Sequence, residues 1–185
     1  VLHVDTGTEW RGGQQQALYL LAGMFGAGDH TAMACMRGAP MARRCEQDGL
    51  PHYTFAPRGE LDAPAGVYLA RVCARQGFSV LHAHTSHALS TCRWARLFRP
   101  SVRIVVTRRV DFSIGGSPLN RWKWGGRGVD RVVCISNGVR EVLRDDGIAE
   151  GIMRTIHSAV DVGRFVTHTP DTLPPALASL PQSTV

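Results

Sequence analysis

Val1-Leu-His-Val-Asp-Thr6, Gly7-Thr-Glu-Trp-Arg-Gly-Gly13 and Gln14-Gln-Gln-Ala-Leu-Tyr-Leu-Leu-Ala-Gly-Met-Phe25, read together, decide the fold. A short apolar run leads into a glycine-containing turn and then into a helical pattern. Leu18, Leu21, Ala22 and Phe25 fall at i, i+3, i+4 and i+7, which predicts one apolar helix face. Gln14, Gln15 and Gln16 make a polar first turn, and Gly26 and Gly28 supply the stop. Gly12 and Gly13 stand where strand hands over to helix. Free N–H groups and the positive end of the helix dipole favour an anion there, and two absent Cβ atoms let it come close. The plainer alternative is a tight turn that simply needs glycine.

The rest of the composition sets bounds. A length of 185 residues suits one domain, and 44% hydrophobic against 19% charged residues can fill a core. The longest apolar run, Ala17 to Ala27, is interrupted by Gly23 and Gly26 and falls short of a membrane span. No basic n-region with a cleavage site is seen, and the chain opens at Val1 inside a strand without Met, so a fragment of a longer protein is expected. Of five cysteines with no C-x-x-C spacing, most, with Cys35 and Cys134 in strand-like runs and Cys73 and Cys92 on helix faces, read as small core residues in a reducing compartment. The net charge of +6 comes almost entirely from arginine, since Lys123 is the sole lysine. Acidic partners follow: nucleotide phosphates, anionic lipid heads or nucleic acid.

Further along, apolar runs at 31–36, 52–56, 79–84, 103–107, 131–135 and 153–156 predict six more strands. Between them lie helical stretches: Pro40 to Gln47, a helix capped by Asp62 and ended by Gly77, Ser86 to Phe98, Pro118 to Trp124, and a helix capped by Ser136 and stopped by Gly147. This alternation predicts a Rossmann-like α/β fold, a mostly parallel sheet of about seven strands covered on both faces. Prolines from Pro170 onward break any regular element, so 1–166 reads as the domain and 167–185 as a linker.

Parallel strands place all their C-terminal ends on one edge, and open α/β sheets bind ligands there. That edge should collect Thr6 to Gly13, then His84, Thr85 and Ser86, then Thr107, Arg108, Arg109 and Asp111, then Ser136, Asn137 and Gly138, then Ser158 and Asp161. Hydroxyls, an imidazole, cations and helix N-termini outline a polyol or phosphate site. His82 and His84 share a strand face, and buried histidines satisfied by backbone are the commoner case. His82-x-His84-x-x-His87 also resembles a metallohydrolase motif, with His157 and Asp111 as further ligands, but its mid-chain position argues against metal. Arg108-Arg109 is a candidate anion clamp. Gly7 to Gly13 does not spell G-x-G-x-x-G, and Met36-Arg37-Gly38 offers no acid for a ribose, so NAD binding is not expected. Arg121-Trp-Lys-Trp124, with Arg127, could stack bases or lie at a membrane surface. The favoured reading is one core tryptophan and one surface lid.

In chain order, Trp10-Arg-Gly-Gly13-Gln-Gln, Leu81-His-Ala-His84-Thr-Ser, Thr107-Arg-Arg-Val-Asp-Phe112, Cys134-Ile-Ser-Asn-Gly-Val139 and Ile156-His-Ser-Ala-Val-Asp-Val-Gly-Arg-Phe165 resemble family-four retaining glycosyltransferases. The resemblance runs from Val1 to about Phe165. It implies a GT-B fold, two Rossmann-like domains with the active site between them, of which this chain resembles the N-terminal, acceptor-side one. By that likeness Gly12 and Gly13 face the donor diphosphate, and His84 lies by the transferred sugar as the catalytic candidate. Thr85, Arg108, Arg109, Ser136 and Asn137 are left as acceptor, sugar or anion contacts. Arg109 stands where many relatives carry histidine, and Ala159 where they carry glycine.

The resemblance therefore implies transfer of a sugar from a nucleotide-sugar donor to a lipid-linked or envelope glycan. It implies no metal and no separate cofactor, no nucleic-acid partner, and a cytoplasmic enzyme with peripheral contact at the inner membrane face. The donor-binding groups would belong to a second domain, so these 185 residues alone should fold without transferring sugar. Two rivals stay open: a sugar-nucleotide epimerase of related fold, and a non-enzymatic anion or nucleic-acid binding module.

Overall fold

The computed structural model of the chain describes residues 1–125, 128–160 and 162. Seven strands, β1 (Leu2–Asp5), β2 (Ala32–Met36), β3 (His52–Phe55), β4 (Val80–Ala83), β5 (Arg103–Arg108), β6 (Arg131–Cys134) and β7 (Met153–Thr155), form one sheet in the order β3-β2-β1-β4-β5-β6-β7. Every pairing is parallel. The connecting helices are α1 (Gly12–Gly26), α2 (Pro40–Gln47), α3 (Ala63–Gln76), α4 (Ser86–Phe98), α5 (Pro118–Trp124) and α6 (Asn137–Asp145). The three-layer α/β/α expectation is met, and each of the seven expected strands is present. Asp161, the 163–165 part of the family-like segment, Gly126, Arg127 and the expected 167–185 linker lie outside the described residues.

Local chemistry explains most boundaries. Asp62 accepts from the Ala65 N–H to start α3, and Gly77 ends it at φ +76°, a left-handed conformation that favours glycine. Ser136 caps α6 through the Val139 N–H. The α1 face differs from expectation. Gln14, Ala17, Leu18 and Leu21 are its buried residues, whereas Phe25 is 45% exposed and Ala22 lies outward. This helix is apolar nearly all round, so periodicity fixes no unique face, and only its N-terminal half lies over the sheet.

Strand alternation sorts the core into two clusters. Leu2, Val4, Ala34, Leu81, Ala83, Ile104, Val106 and Val132 point one way and pack with Leu69, Cys73, Leu89, Cys92, Val139 and Leu143 of α3, α4 and α6. Met33 and Cys35 point the other way, onto Ala17, Leu18 and Leu21 of α1 and Met41, Ala42 and Cys45 of α2. The second helical layer thus spans only the β1–β3 side. Over β4 to β7 the same face carries half-buried Val80, Val105 and Val133 beside exposed Arg103, Arg131 and Arg154, with no helix over them among the described residues. Coverage of the whole sheet on both faces, the sequence expectation, is corrected there. The physical reason is handedness. Right-handed crossovers moving from β1 toward β3 put α1 and α2 on one face, and those moving from β4 toward β7 put their helices on the other.

All five cysteines are free and buried, Cys45 along with the four expected. Burial pushes the Cys35 and Cys45 thiols up to about 12 and Cys73 to about 11, so they pack rather than react. Helices α3 and α4 touch at Gly66, where an added Cβ would come within 2.3 Å of Trp94 Cβ and 2.8 Å of its carbonyl carbon. Alanine would gain about 1 kcal/mol of helix propensity. The clash outweighs that gain, because backbone rather than a flexible side-chain end must move. Gly66→Ala should lower stability by about 1–3 kcal/mol in urea unfolding.

Candidate functional site

Strand order reverses at β1, which pairs with β2 on one side and β4 on the other. Ligands of open α/β sheets bind at the carboxyl ends of strands where that reversal occurs. Here Thr6 Oγ1 and Thr85 Oγ1 lie 2.7 Å apart and join the two strand ends. A cavity of about 570 Å³ opens beside them, bordered by Gly7, Arg11, Gln14, Arg58 and His87. Beneath it Asp5 is buried, accepting from the Gly7 N–H at 2.7 Å and from Gln14 Nε2 at 3.2 Å. A Cβ at Gly7 would sit 2.6 Å from Gln14 Nε2 and 2.9 Å from Asp5 Oδ1, so a larger residue there would push the Gln14–Asp5 pair aside. Burial raises the Asp5 carboxyl despite those donors.

Helix α1 begins at Gly12 with Arg11 as its N-cap, and no side chain accepts from its first-turn N–H groups. By contrast Asp62, Thr85, Ser117 and Ser136 cap α3 to α6 with side-chain oxygens. Nor is there an acid in the first turn of α1. The donors and the dipole of α1 are therefore uncommitted at the switch point. Neither glycine has positive φ, so the turn does not require glycine. A Cβ on Gly12 would meet nothing within 4 Å, and one on Gly13 only Arg109 Cδ at 3.5 Å. What the two glycines leave is space in front of the helix. Uncapped helix N-termini with such space favour anions in general.

Arg109 links that space to the histidines. Its guanidinium lies 3.4–3.5 Å from His84 Nδ1, and His84 Nε2 lies 3.0 Å from His3 Nδ1. His82 Nε2 bonds Thr107 Oγ1 at 2.7 Å, a side-chain partner where backbone was expected. His84 is 6% exposed, more deeply set than a residue in an open crevice. His3 passed unremarked in the sequence because only the β1–β4 register places it beside His82. Burial, then His82 and the chain's N-terminus, bring His3 down to about 3; burial, then Arg109, brings His82 to about 4. Burial, then His82, His3 and Arg109, hold His84 well below its ordinary value.

All three are neutral in the folded protein, and in the unfolded chain they protonate near 6.5. Between that value and about 4 the unfolded state binds more protons, so stability falls as pH falls. In metal-free buffer the melting temperature should drop steadily from about pH 7 to pH 5, above the range where most carboxylates titrate. A flat profile over that window would show that the imidazoles are not held neutral.

Arg108 and Arg109 both border a second cavity of about 360 Å³ with His84, Thr85 and Ser86, yet they are not a paired clamp. β5 runs through Arg108, one residue further than read, and Arg109 begins the loop that follows, so the two guanidiniums take different partners. Arg108 donates to the Phe112 carbonyl at 2.6 Å and stacks 4.9 Å over that ring, fixing the following loop. Thr85 caps α4 while lining both cavities. Ser136 is spent capping α6, and Asn137 Oδ1 accepts from Thr155 Oγ1 at 3.0 Å; neither lines these two cavities. Gln16, also unremarked in sequence, donates to the Ala159 carbonyl and accepts its N–H, tying α1 to the segment after β7.

Of the other sequence candidates, His87 turns to Glu60 at 3.2 Å, and His157 Nδ1 to the Ile135 carbonyl at 3.0 Å. The His82-His84-His87 set is therefore not assembled. Trp124 is core, as favoured, and Trp122 lies against Trp94 and Arg93. Lys123 is 2% exposed, paired with Glu60 at 2.8 Å and Ser86 Oγ at 2.9 Å, so it offers no surface charge for bases or lipid.

Solved structures sharing this architecture include glycosyltransferases of GT-B type, and a putative UDP-N-acetylglucosamine 2-epimerase from Listeria monocytogenes also aligns, over 82% of the chain at 9% identity with a TM-score of 0.57. A glycosyltransferase from Rickettsia africae aligns over 95% of the chain at 14% identity with a TM-score of 0.76. Alr3699/HepE of Anabaena, solved with UDP, aligns over 88% at 16% identity and TM-score 0.71, and it was solved with UDP-glucose as well. The lipopolysaccharide outer core galactosyltransferase WaaB aligns over 87% at 10% identity and TM-score 0.66. The chain spans 44–46% of the length of these glycosyltransferases. Among curated proteins none matches it in sequence. Residues 11–164 match the family model described as Glycosyltransferase Family 4, and the chain belongs to that family.

Proposed function

We propose that this chain is the acceptor-side domain, residues 1–166, of a retaining glycosyltransferase that moves a sugar from a nucleotide-sugar to a lipid-linked or envelope glycan. The observation that carries the reading is the meeting of the uncapped α1 N-terminus, Arg109 and His84 at the switch point. The N–H groups at Gly12 and Gly13 face the donor diphosphate. As the bond to the sugar breaks, negative charge grows on the leaving diphosphate, and fixed dipoles with a cation stabilise it without reorganising. Arg109 is the cation this chain supplies. His84, neutral and held by His3, lies by the transferred sugar. Thr85 and Arg108 border the acceptor side; Ser136 and Asn137 shape the neighbouring edge.

Charge stabilisation by dipoles and arginine needs no resident metal or cofactor. Nucleic acid has no part in this reading, and family membership favours transfer over epimerisation. A lipid-linked acceptor fits Leu61 (73% exposed) and Phe112 (65% exposed), on loops at the same sheet edge as the cavities. They would rest against the inner face of the cytoplasmic membrane.

The nucleotide itself is left to a second domain beyond the 167–185 linker. Two or three exposed hydrogen bonds of about 1 kcal/mol each give millimolar binding at best. Calorimetric titration of the 185-residue chain with a panel of sugar nucleotides should therefore show no saturation in the micromolar range. Micromolar binding, or donor turnover by this chain alone, would refute the division of labour.

A further inference from the structure

We propose that His3, His82 and His84 form a site for one transition-metal ion of the zinc class. An ion bound there would take His84 away from the transfer site; that consequence rests on the function proposed above, and the binding itself does not.

The geometry comes from register. His3 pairs with His82 across β1 and β4, and His84 follows two residues on, so all three rings stand on one sheet face. Each offers a ring nitrogen within 4.8 Å of the other two. A tetrahedral ion bonded at ~2.1 Å to each ring sets ring centroids about 5 Å apart. The observed separations are 5.2 Å for His3–His82, 5.2 Å for His3–His84 and 4.3 Å for His82–His84, two of the three close to that spacing.

Two further observations point to a ligand. His3 Nε2 is buried without a hydrogen-bond partner, a costly condition unless something can use the lone pair or the proton. Thr107 holds one nitrogen of His82 at 2.7 Å, the way outer-shell partners orient a metal-binding ring. Imidazoles select zinc, cobalt, nickel or copper over magnesium and calcium. Three protein ligands leave a fourth position open. The charged groups facing the site are Arg109, which opposes a cation from beside His84 Nδ1, and Asp5, which interacts with Arg109 and can draw it aside.

The chain, stripped with chelator and dialysed, would be titrated with zinc chloride by calorimetry and with cobalt chloride by visible absorption. Expected are one ion per chain at micromolar affinity, the intense visible bands of four-coordinate cobalt, and no heat from magnesium chloride. His3→Gln should weaken zinc binding at least about tenfold. Arg109→Gln should tighten it about tenfold by removing a repelling charge, and His87→Gln should leave it unchanged. Unaltered affinity in His3→Gln, or equal loss in His87→Gln, would overturn the assignment. If His3→Gln does not fold, the unmodified chain decides: a hexaaquo-like cobalt spectrum with no zinc heat overturns the site. Zinc inhibition of a complete enzyme, reversed by chelator, would then test the consequence for His84 separately.

Discussion

In the complete enzyme, replacing Gly12 and Gly13 together by alanine should stabilise the domain and lower sugar transfer about 100-fold. The two effects have opposite signs because they come from different causes. Both residues adopt ordinary φ values in the first turn of α1, and added methyl groups meet nothing closer than Arg109 Cδ at 3.5 Å. Alanine therefore gains helix propensity of about 0.5–1 kcal/mol per site without strain. The same methyl groups fill the space before the uncapped N–H groups, where the diphosphate would have to lie. Losing one such preorganised contact costs about 10²–10³ in turnover. Thermal melts and initial rates on the same preparation check both signs. A destabilised variant, or one with unchanged transfer, would return these glycines to the role of a tight turn.

In the complete enzyme His84→Ala should lower turnover by a similar factor, and it should lower the melting temperature too. In sequence His84 reads as a strand-end residue in a polar crevice, for which truncation would spare stability. Burial to 6% exposure and the 3.0 Å contact with His3 change that expectation. Alanine strands a buried ring nitrogen of His3, at a cost of about 1–3 kcal/mol. His84→Gln offers a polar group of similar reach and should recover much of the stability without recovering turnover. If His84→Gln transfers sugar at the parent rate, the imidazole holds β1 to β4 and does nothing to substrate.

What the sequence reveals here depends on the range of the interaction. Asp62, Ser136 and Gly77 mark helix ends by contacts within a few residues, and those ends fall where read. β-branched runs at 103–107 and 131–135 likewise specify buried strands. The histidine cluster is different. His3 and His84 are 81 positions apart, and nothing local signals that β1 will lie against β4 rather than between other strands. The Gln16–Ala159 clasp and the Asp5–Gln14 support under Gly7 are hidden for the same reason. Arg108 and Arg109 show how one boundary residue matters: extending β5 to Arg108 sends the two guanidiniums to separate tasks. The open face over β4 to β7 follows from crossover handedness acting on strand order, and strand order is not written in periodicity.

The account is tested most directly by the stereochemistry of transfer. The complete gene product would be incubated with UDP-glucose and other nucleotide-sugars over lipid-linked and envelope-type glycan acceptors, and the anomeric configuration of the new linkage read by NMR. The account predicts transfer to such an acceptor with the donor's configuration retained, and loss of that product in the Gly12→Ala/Gly13→Ala variant. An inverted linkage, or an epimerised nucleotide-sugar with no transfer, would contradict it.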